Sequence, residues 1–210
     1  MGGFLISIDG IDGSGKTTQA KLLYDYLSQT RSDALLLVAP GDRPIGRFIH
    51  QLGRSGLIRG LNHSVASLLW AADIAELVSA RLNPAMAADK TIIADRYFYS
   101  NIAYAAAMNV DYNWITHVYE FAREPDLSIL LDAAEEIAIG RIQNRNKPTS
   151  CHERDIRFLA NLRKHFLRLS TERDIVIVNS NGSITETQQE IRKVVAFRLK
   201  LLQLCPADAS

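Results

Sequence analysis

The sequence predicts an α/β fold in which a five-stranded parallel sheet lies between two layers of helices. Five short runs of apolar or β-branched residues recur along the 210 residues, and their lengths are typical of buried strands. Longer amphipathic stretches separate these runs, as helices that cover both faces of a sheet would. Because strands and helices alternate, we expect one doubly wound, three-layer sheet with parallel strands.

Each element is predicted from its own pattern. The strands are expected where short apolar runs end in polar or turn residues, at 4–9, 34–39, 91–95, 127–132 and 175–179. The helices are expected where amphipathic stretches lie between these runs, at 17–27, 64–82, 134–145, 154–169 and 184–202. A further helix is expected near 112–120.

The chain is expected to form one domain over residues 1–204. With 47% hydrophobic residues it can bury a proper core, and no repeat or linker divides it. Pro148 and a polar cluster interrupt two helical patterns, so residues 144–154 are expected to be a mobile loop. The last six residues, 205–210, are expected to be a frayed tail.

Composition excludes several function classes. Lys and Arg number 24 against 23 Asp and Glu, which argues against nucleic acid or an acidic membrane as the main partner. The first apolar run is too short for a signal segment, and no later run reaches membrane length. The two cysteines, Cys151 and Cys205, do not suggest a disulfide framework, so we expect a cytoplasmic protein.

A glycine-rich corner follows the first predicted strand. Residues 10–17, GIDGSGKT, fit the pattern G-x-x-x-x-G-K-[ST] between a strand and a helix, which is the context this motif requires. Glycines let successive backbone N–H groups turn inward around a phosphate, beside a positive helix N-terminus. Lys16 would reach the β- and γ-phosphates, and Thr17 would bind magnesium. The alternative is a glycine turn with a chance lysine; the strand-to-helix context favours a P-loop NTPase fold.

A second motif lies at the end of the third predicted strand. Asp95 and Arg96 follow a buried run, at the sheet edge where open α/β sheets bind ligands. An aspartate there can hold magnesium through water while the arginine faces a second phosphate. The alternative is a structural ion pair at the strand end; the nearby P-loop favours the phosphate-binding interpretation instead.

At these residues the sequence resembles the thymidylate kinases, a branch of the nucleoside monophosphate kinases. Residues 8–23, IDGIDGSGKTTQAKLL, look like their P-loop, and residues 95–105, DRYFYSNIAYA, look like their D-R-Y-x-x-S-x-x-A-Y signature. Residues 124–145 are similar to their fourth strand and the helix leading into a lid. The resemblance implies transfer of the γ-phosphoryl group of ATP to a nucleoside monophosphate, with Mg²⁺ as cofactor. It also implies a homodimer.

The resemblance implies roles for individual residues. ATP is expected to be held by Gly10, Asp12, Gly13, Ser14, Gly15, Lys16, Thr17, Thr18 and Arg141, the last against adenine. Thr17 and Asp95 would serve magnesium, and Arg96 would clamp the acceptor phosphate. Arg145 matches a lid cation of the transition state, with Lys147 and Arg154 as alternatives. For any of these lid cations, a solvated helix end is the other interpretation. The implied catalytic set is therefore Lys16, Asp95, Arg96 and Arg145.

The acceptor side both matches and departs from the family. Asp12 looks like the carboxylate near the sugar 3′-hydroxyl, and Tyr104 like the tyrosine that favours deoxyribose. The family's R-E-P-G-G loop is reduced to Pro40 and Gly41, with Val38 and Ala39 at the Arg and Glu positions; Arg43 or Arg47 could substitute. Pro40 is carried over as a substrate contact.

The base-recognition helix departs further. Trp70 occupies the aromatic position that stacks on the base, with a core residue as the alternative interpretation. Ile74 replaces the arginine that binds the thymine carbonyl, and Ala105 replaces a frequent glutamine. We therefore expect dTMP as the acceptor, with dUMP, UMP or a modified pyrimidine monophosphate as the alternative.

Two other function classes stay open at this stage. A nucleotide-binding regulatory module without transfer activity would explain Ile74, Ala105 and the altered second loop. A deoxynucleoside kinase would need a carboxylate base after the second strand, where only Asp42 is available.

Overall fold

The sheet consists of five parallel strands, as predicted. The structure is a computed structural model and describes residues 3–30, 34–145 and 155–204. The strands are β1 (Phe4–Gly10), β2 (Ala34–Val38), β3 (Thr91–Asp95), β4 (Leu127–Asp132) and β5 (Ile175–Asn179). Their order in the sheet is β2-β3-β1-β4-β5, and every pairing is parallel. The predicted fold class is thus confirmed.

Helices connect the strands on both faces of the sheet. They are α1 (Lys16–Thr30), α2 (Pro44–Ser55), α3 (His63–Leu77), α4 (Asn83–Ala87), α5 (Phe98–Ala107), α6 (Tyr112–Val118), α7 (Glu135–Gln143), α8 (Ile156–Glu172) and α9 (Ile184–Leu204). A 3₁₀ turn, Leu57–Gly60, and a π-helical turn, Val78–Leu82, complete the set within the described residues.

The prediction of one continuous helix over 64–82 is wrong. Helix α3 ends at Leu77, and the N–H of Asn83 donates to the carbonyl of Val78, five residues back. Pro84 follows and has no N–H to donate, so the regular i→i−4 ladder cannot continue through it.

Helices α2, α4 and α5 were not predicted, and α5 and α2 were missed for different reasons. Helix α5 is buried almost all round, so it has no polar face to give the period of an amphipathic helix. Helix α2 contains Gly46 and Gly53, which lower its intrinsic helix propensity. Its start was nevertheless marked by Pro44 at the first helical turn.

Apolar layers cover both faces of β1. Ile6 and Ile8 pack with Leu23 of α1 and Ile191 of α9 in one layer. Leu5 points to the opposite face, into the larger layer formed with α3, α5, α7 and α8. All seven residues of β1 are buried, which explains why the strand is mostly apolar.

The centre of the sheet is also its topological switch point. Strand β1 lies between β3 and β4, and the chain connections diverge to opposite sides of it. In open α/β sheets the crevice at the carboxyl ends of such strands is where ligands bind. Among the described helices, none is both long and apolar enough to span a bilayer.

Several sequence predictions lie outside the described residues. These are most of the 144–154 loop with Lys147 and Arg154, the 205–210 tail, and both cysteines.

Candidate active site

The glycine-rich loop joins β1 to α1 at the switch point. Gly13 and Gly15 adopt φ values of 82° and 97°, in a region that side chains rarely enter. A Cβ at Gly13 would also overlap the backbone of Ala138 in α7. Only glycine therefore allows this loop conformation while α7 packs directly against it.

A cleft of about 450 Å³ opens at the N-terminus of α1. It brings together most of the predicted nucleotide-binding residues, namely Asp12, Gly13, Ser14, Gly15, Lys16, Thr17, Thr18, Arg96, Arg141 and Arg145. Of the predicted set, Gly10, Pro40, Trp70, Asp95 and Tyr104 do not line it. Gly10 lies just below the loop, where a Cβ would meet the Ser14 side chain and the Leu131 carbonyl.

Lys16 is buried at the floor of this cleft. Its Nζ donates to the carbonyl of Ile11 at 2.6 Å. Burial and, after it, the positive charge of Arg96 lower the pKa of Lys16, while nearby carboxylates, Asp12 foremost, offset part of the shift; the resulting pKa is about 7. The ammonium therefore lacks enough compensating negative charge in the free protein, and a polyphosphate would supply it.

This pKa predicts that ATP binding takes up a proton. At pH 8 Lys16 is mostly neutral in the free protein, and a triphosphate beside it raises its pKa, so about one proton is gained on binding. Calorimetry in buffers of different ionisation enthalpy measures this uptake. It should disappear in Lys16→Met and persist in Lys21→Met, an exposed lysine on the same helix. Uptake that is unchanged in Lys16→Met would contradict the assignment.

Arg96 reaches the cleft from the turn after β3. Its backbone lies at φ 68°, which costs a non-glycine residue about 1 kcal/mol. Its N–H donates to the carbonyl of Ile8 at 3.1 Å, and its Nη2 pairs with Asp12 of the glycine loop. The Tyr104 hydroxyl donates to the other oxygen of Asp12 at 2.6 Å. The two separated motifs thus meet in one cluster.

The charge of Asp12 is fixed by this cluster. Burial disfavours its ionisation, but the charges of Arg96 and Lys16 outweigh burial and lower its pKa to about 2. Asp12 is therefore a carboxylate at any working pH. The ion pair of Arg96 is made with the glycine loop, which differs from the strand-end pair with Asp95 considered above.

Asp95 lies beneath the cleft at the end of β3. It is 4% exposed, and its Oδ1 has no hydrogen-bond partner among the described residues. Within that part of the chain no three His, Cys, Asp or Glu side chains form a metal-binding group. A single carboxylate with a threonine hydroxyl nevertheless fits Mg²⁺, which takes one or two protein ligands and completes its shell with phosphates and water.

The loop between β5 and α9 completes the cleft and was missed by the sequence analysis. Arg141 donates through Nη1 to the carbonyl of Ser180 at 2.7 Å and through Nη2 to that of Gly182 at 2.9 Å. Ser183 and Glu186 form a capping box at the start of α9, with the N–H of Ser183 donating to Oε2 at 2.8 Å. That S-x-x-E pattern was the available signal.

The structure shows where the acceptor-side residues lie that were compared with the family above. Ile74 is fully buried in the core and presents no polar group, and Ala105 is also buried. Arg43 pairs with Glu76 of α3 at 3.6 Å, while Arg47 is exposed on α2. Trp70 is half-buried on α3 and outside the buried core, so its interpretation as a core residue is not supported.

Fold and cleft together define a class of enzyme. A parallel sheet in the order 2-3-1-4-5, a glycine loop at its centre and an Asp-Arg pair on the neighbouring strand end are the parts of a P-loop nucleoside monophosphate kinase. A family model described as thymidylate kinase matches residues 8–191. The chain therefore belongs to the thymidylate kinase family, as the sequence motifs indicated.

Similar proteins agree with this placement. A probable thymidylate kinase from Thermococcus gammatolerans is 36% identical over 196 residues, covering 90% of this chain and 94% of that protein. The probable thymidylate kinase 1 of Saccharolobus solfataricus is also 36% identical, covering 93% and 98%. The crystal structure of thymidylate kinase from Ehrlichia chaffeensis superposes with a TM-score of 0.76 at 24% identity, covering 93% of this chain and 99% of that one.

Proposed function

We propose that this protein transfers the γ-phosphoryl group of ATP to dTMP, giving dTDP and ADP. The observation that carries the proposal is that Lys16, from the nucleotide loop, and Arg96, from the neighbouring strand end, line the same cleft. One cation would bind the donor phosphates and the other the acceptor phosphate. Phosphoryl transfer depends on such placement and on charge neutralisation more than on covalent chemistry.

On the donor side, the loop amides from Gly13 to Thr18 and Lys16 would hold the ATP phosphates. Arg141, fixed by the three carbonyls of residues 180–182, would pack against adenine. Thr17 and Asp95 would hold Mg²⁺, which neutralises charge on the β- and γ-phosphates when bound. Within the described part of the chain the Oδ1 of Asp95 is buried and has no hydrogen-bond partner, which supports this role.

On the acceptor side, Arg96 would bind the 5′-phosphate, and Asp12 with Tyr104 would face the deoxyribose. Their hydrogen bond and the ion pair between Arg96 and Asp12 support a shared task. Arg145, which lines the cleft, would stabilise the transferring phosphoryl group. Pro40, in the loop after β2, and Trp70, on α3, would complete the base and acceptor contacts.

The reaction is tested by ADP release over a panel of dTMP, dUMP, UMP and dCMP. We expect dTMP to give the highest kcat/KM and Lys16→Ala to reduce turnover to background for all of them. ATP binding without stimulation by any acceptor would reject the kinase and favour the regulatory module. Activity on nucleosides that depends on Asp42 would instead favour a deoxynucleoside kinase.

Ile74 supports a second acceptor. A charged hydrogen bond to a base edge is worth about 1.5 to 3 kcal/mol, so a site without it discriminates between bases by about one or two powers of ten less. If dUMP or UMP exceeds dTMP in the same panel, another pyrimidine monophosphate is the substrate. Ile74→Arg should then shift the preference toward dTMP.

Trp70→Ala is expected to raise the KM for the monophosphate about tenfold or more and to leave the KM for ATP unchanged, because base stacking on an aromatic is worth about 1–3 kcal/mol. Initial rates with each substrate varied at saturating partner measure the two constants. Phe197→Ala, which removes an exposed aromatic side chain on α9, is the control. Unchanged acceptor kinetics in Trp70→Ala would remove it from the site.

We further propose a homodimer formed through α3 and α6. These helices pack together, and Val65, Leu68 and Trp114 are 48%, 47% and 37% exposed on them. Leu68→Asp should halve the molar mass measured by light scattering. Phe197→Asp, an exposed site on α9 across the sheet, should leave the dimer intact. A wild-type protein of monomer mass would reject the proposal.

A further inference from the structure

Asp9 holds the turn after β3 from the neighbouring strand. It lies on β1, one residue before the glycine loop begins, and is 3% exposed. Its Oδ1 accepts three hydrogen bonds: from the N–H of Tyr97 at 3.1 Å, from the N–H of Ser100 at 3.2 Å and from the Ser100 hydroxyl at 2.5 Å. All three donors belong to the turn that carries Arg96 or to the helix that follows it.

These bonds make Asp9 a helix cap supplied from another strand. Helix α5 begins at Phe98, and its N-cap residue, Tyr97, gives it no side-chain cap. Ser100 is the third residue of the helix, whose N–H a capping side chain ordinarily binds. Asp9 supplies that acceptor across the sheet, since the first N–H groups of a helix have no partner within the helix.

The capped turn is also the strained one. Arg96 lies at φ 68°, and its N–H donates to the carbonyl of Ile8, the residue before Asp9. Two successive residues of β1 therefore fix the turn on both sides of the Arg96 side chain. Such a backbone persists only where surrounding contacts determine it fully.

We propose that Asp9 is a positioning residue that fixes Arg96 relative to Lys16, a conclusion that rests on the kinase function proposed above. Strand β1 ends in the glycine loop that grips the donor, and through Asp9 the same strand sets the turn that carries the acceptor clamp. One carboxylate thus holds the two nucleotide sites at a fixed separation.

The hydrogen bonds, rather than the charge, perform this task. Oδ1 accepts all three hydrogen bonds from the turn, and Oδ2 accepts none of them. An asparagine keeps the acceptor oxygen and caps helices as well as aspartate does. Asp9→Asn should therefore retain the geometry that Asp9→Ala loses.

The kinetic test compares these two variants. We expect Asp9→Ala to lower kcat about 100-fold, as a misplacement of about 1 Å does, with the Kd for ATP within about threefold of the wild type. Asp9→Asn should stay within about fivefold of the wild-type kcat. Should Asp9→Ala fail to fold, Ser100→Ala removes one of the three bonds and should lower kcat about threefold or more at unchanged ATP affinity.

Asp126→Ala is the matched control. Its Oδ2 accepts a hydrogen bond from the N–H of Leu5 at 2.8 Å, so this carboxylate also binds β1. The bond lies at the amino-terminal end of the strand, away from the cleft. This variant should lower the melting temperature and leave kcat unchanged. If Asp9→Asn is as impaired as Asp9→Ala, or if Asp9→Ala loses ATP affinity together with kcat, the proposal is overturned.

A second measurement does not depend on activity. Amide hydrogen exchange should be at least about tenfold faster at Tyr97 and Ser100 in Asp9→Ala than in the wild type, and close to wild type in Asp9→Asn and Asp126→Ala. Unchanged exchange at both amides in Asp9→Ala would overturn the proposal even in an active enzyme. Conversely, a wild type inactive on every monophosphate would reject the kinase function and leave this test of Asp9 standing.

Discussion

Arg96→Ala is expected to reduce acceptor-dependent ADP formation by about three orders of magnitude, the scale on which arginines act on transferring phosphoryl groups. Arg96 extends from a turn held by β1 into the cleft shared with Lys16, where its guanidinium would bind the acceptor phosphate. The glycine loop and Lys16 remain in the variant, so the Kd for ATP should change by less than about threefold. Initial rates and equilibrium nucleotide binding measure the two effects separately.

Two further variants define the role of Arg96. Arg96→Lys keeps a positive charge but loses the planar fork that matches a phosphate, so intermediate activity is expected. Arg163→Ala removes another partly buried arginine, one that pairs with Asp132 outside the cleft, and should affect stability while sparing kcat. A loss of ATP affinity as large as the loss of turnover in Arg96→Ala would contradict its assignment to the acceptor.

Lys16→Met is expected to lower kcat by about three orders of magnitude with every monophosphate. The variant loses the cation that would stabilise the negative charge of the β- and γ-phosphates during transfer. Methionine retains the length and apolar stem of lysine, so the buried floor of the cleft stays filled. Monophosphate binding, measured by calorimetry without ATP, should be unaffected. Weakened monophosphate binding in Lys16→Met would show that the two subsites are not separate.

Lys21→Met controls for the loss of one charge from α1, because Lys21 is exposed on the same helix. It should retain wild-type kinetics. Lys16→Met is expected to leave monophosphate binding unchanged, and Arg96→Ala is expected to leave ATP binding nearly unchanged. A generally damaged fold would not produce this pattern.

The strands could be predicted closely because each is a local pattern. The bounds 91–95, 127–132 and 175–179 match β3, β4 and β5, and the other two strands differ by one residue. The periodicity of apolar and polar residues could not reveal helix α5, because the helix is buried on nearly all sides and has no polar face. The break at Val78–Leu82 follows from Pro84, which the sequence displays but the apolar pattern of the longer helix obscured.

The candidate site was predictable where its residues are contiguous. The glycine loop and the Asp95-Arg96 pair are short motifs; the loop and Arg96 line the cleft, while Asp95 is buried at the end of β3. The loop at 180–183 and Asp9 were missed because their contacts join residues far apart in the chain, such as Arg141 with Ser180. No local propensity encodes a carboxylate on one strand that caps a helix following another.

The absence of a side chain at Gly13 also couples the two ends of the donor subsite. The loop lies so close to Ala138 that α7 cannot tilt toward it without displacing the amides that would surround the phosphates. The same helix carries Arg141, which we propose packs against adenine. A change in the purine ring of a donor analogue should therefore alter how its triphosphate is seated, so that base selectivity and turnover vary together across analogues.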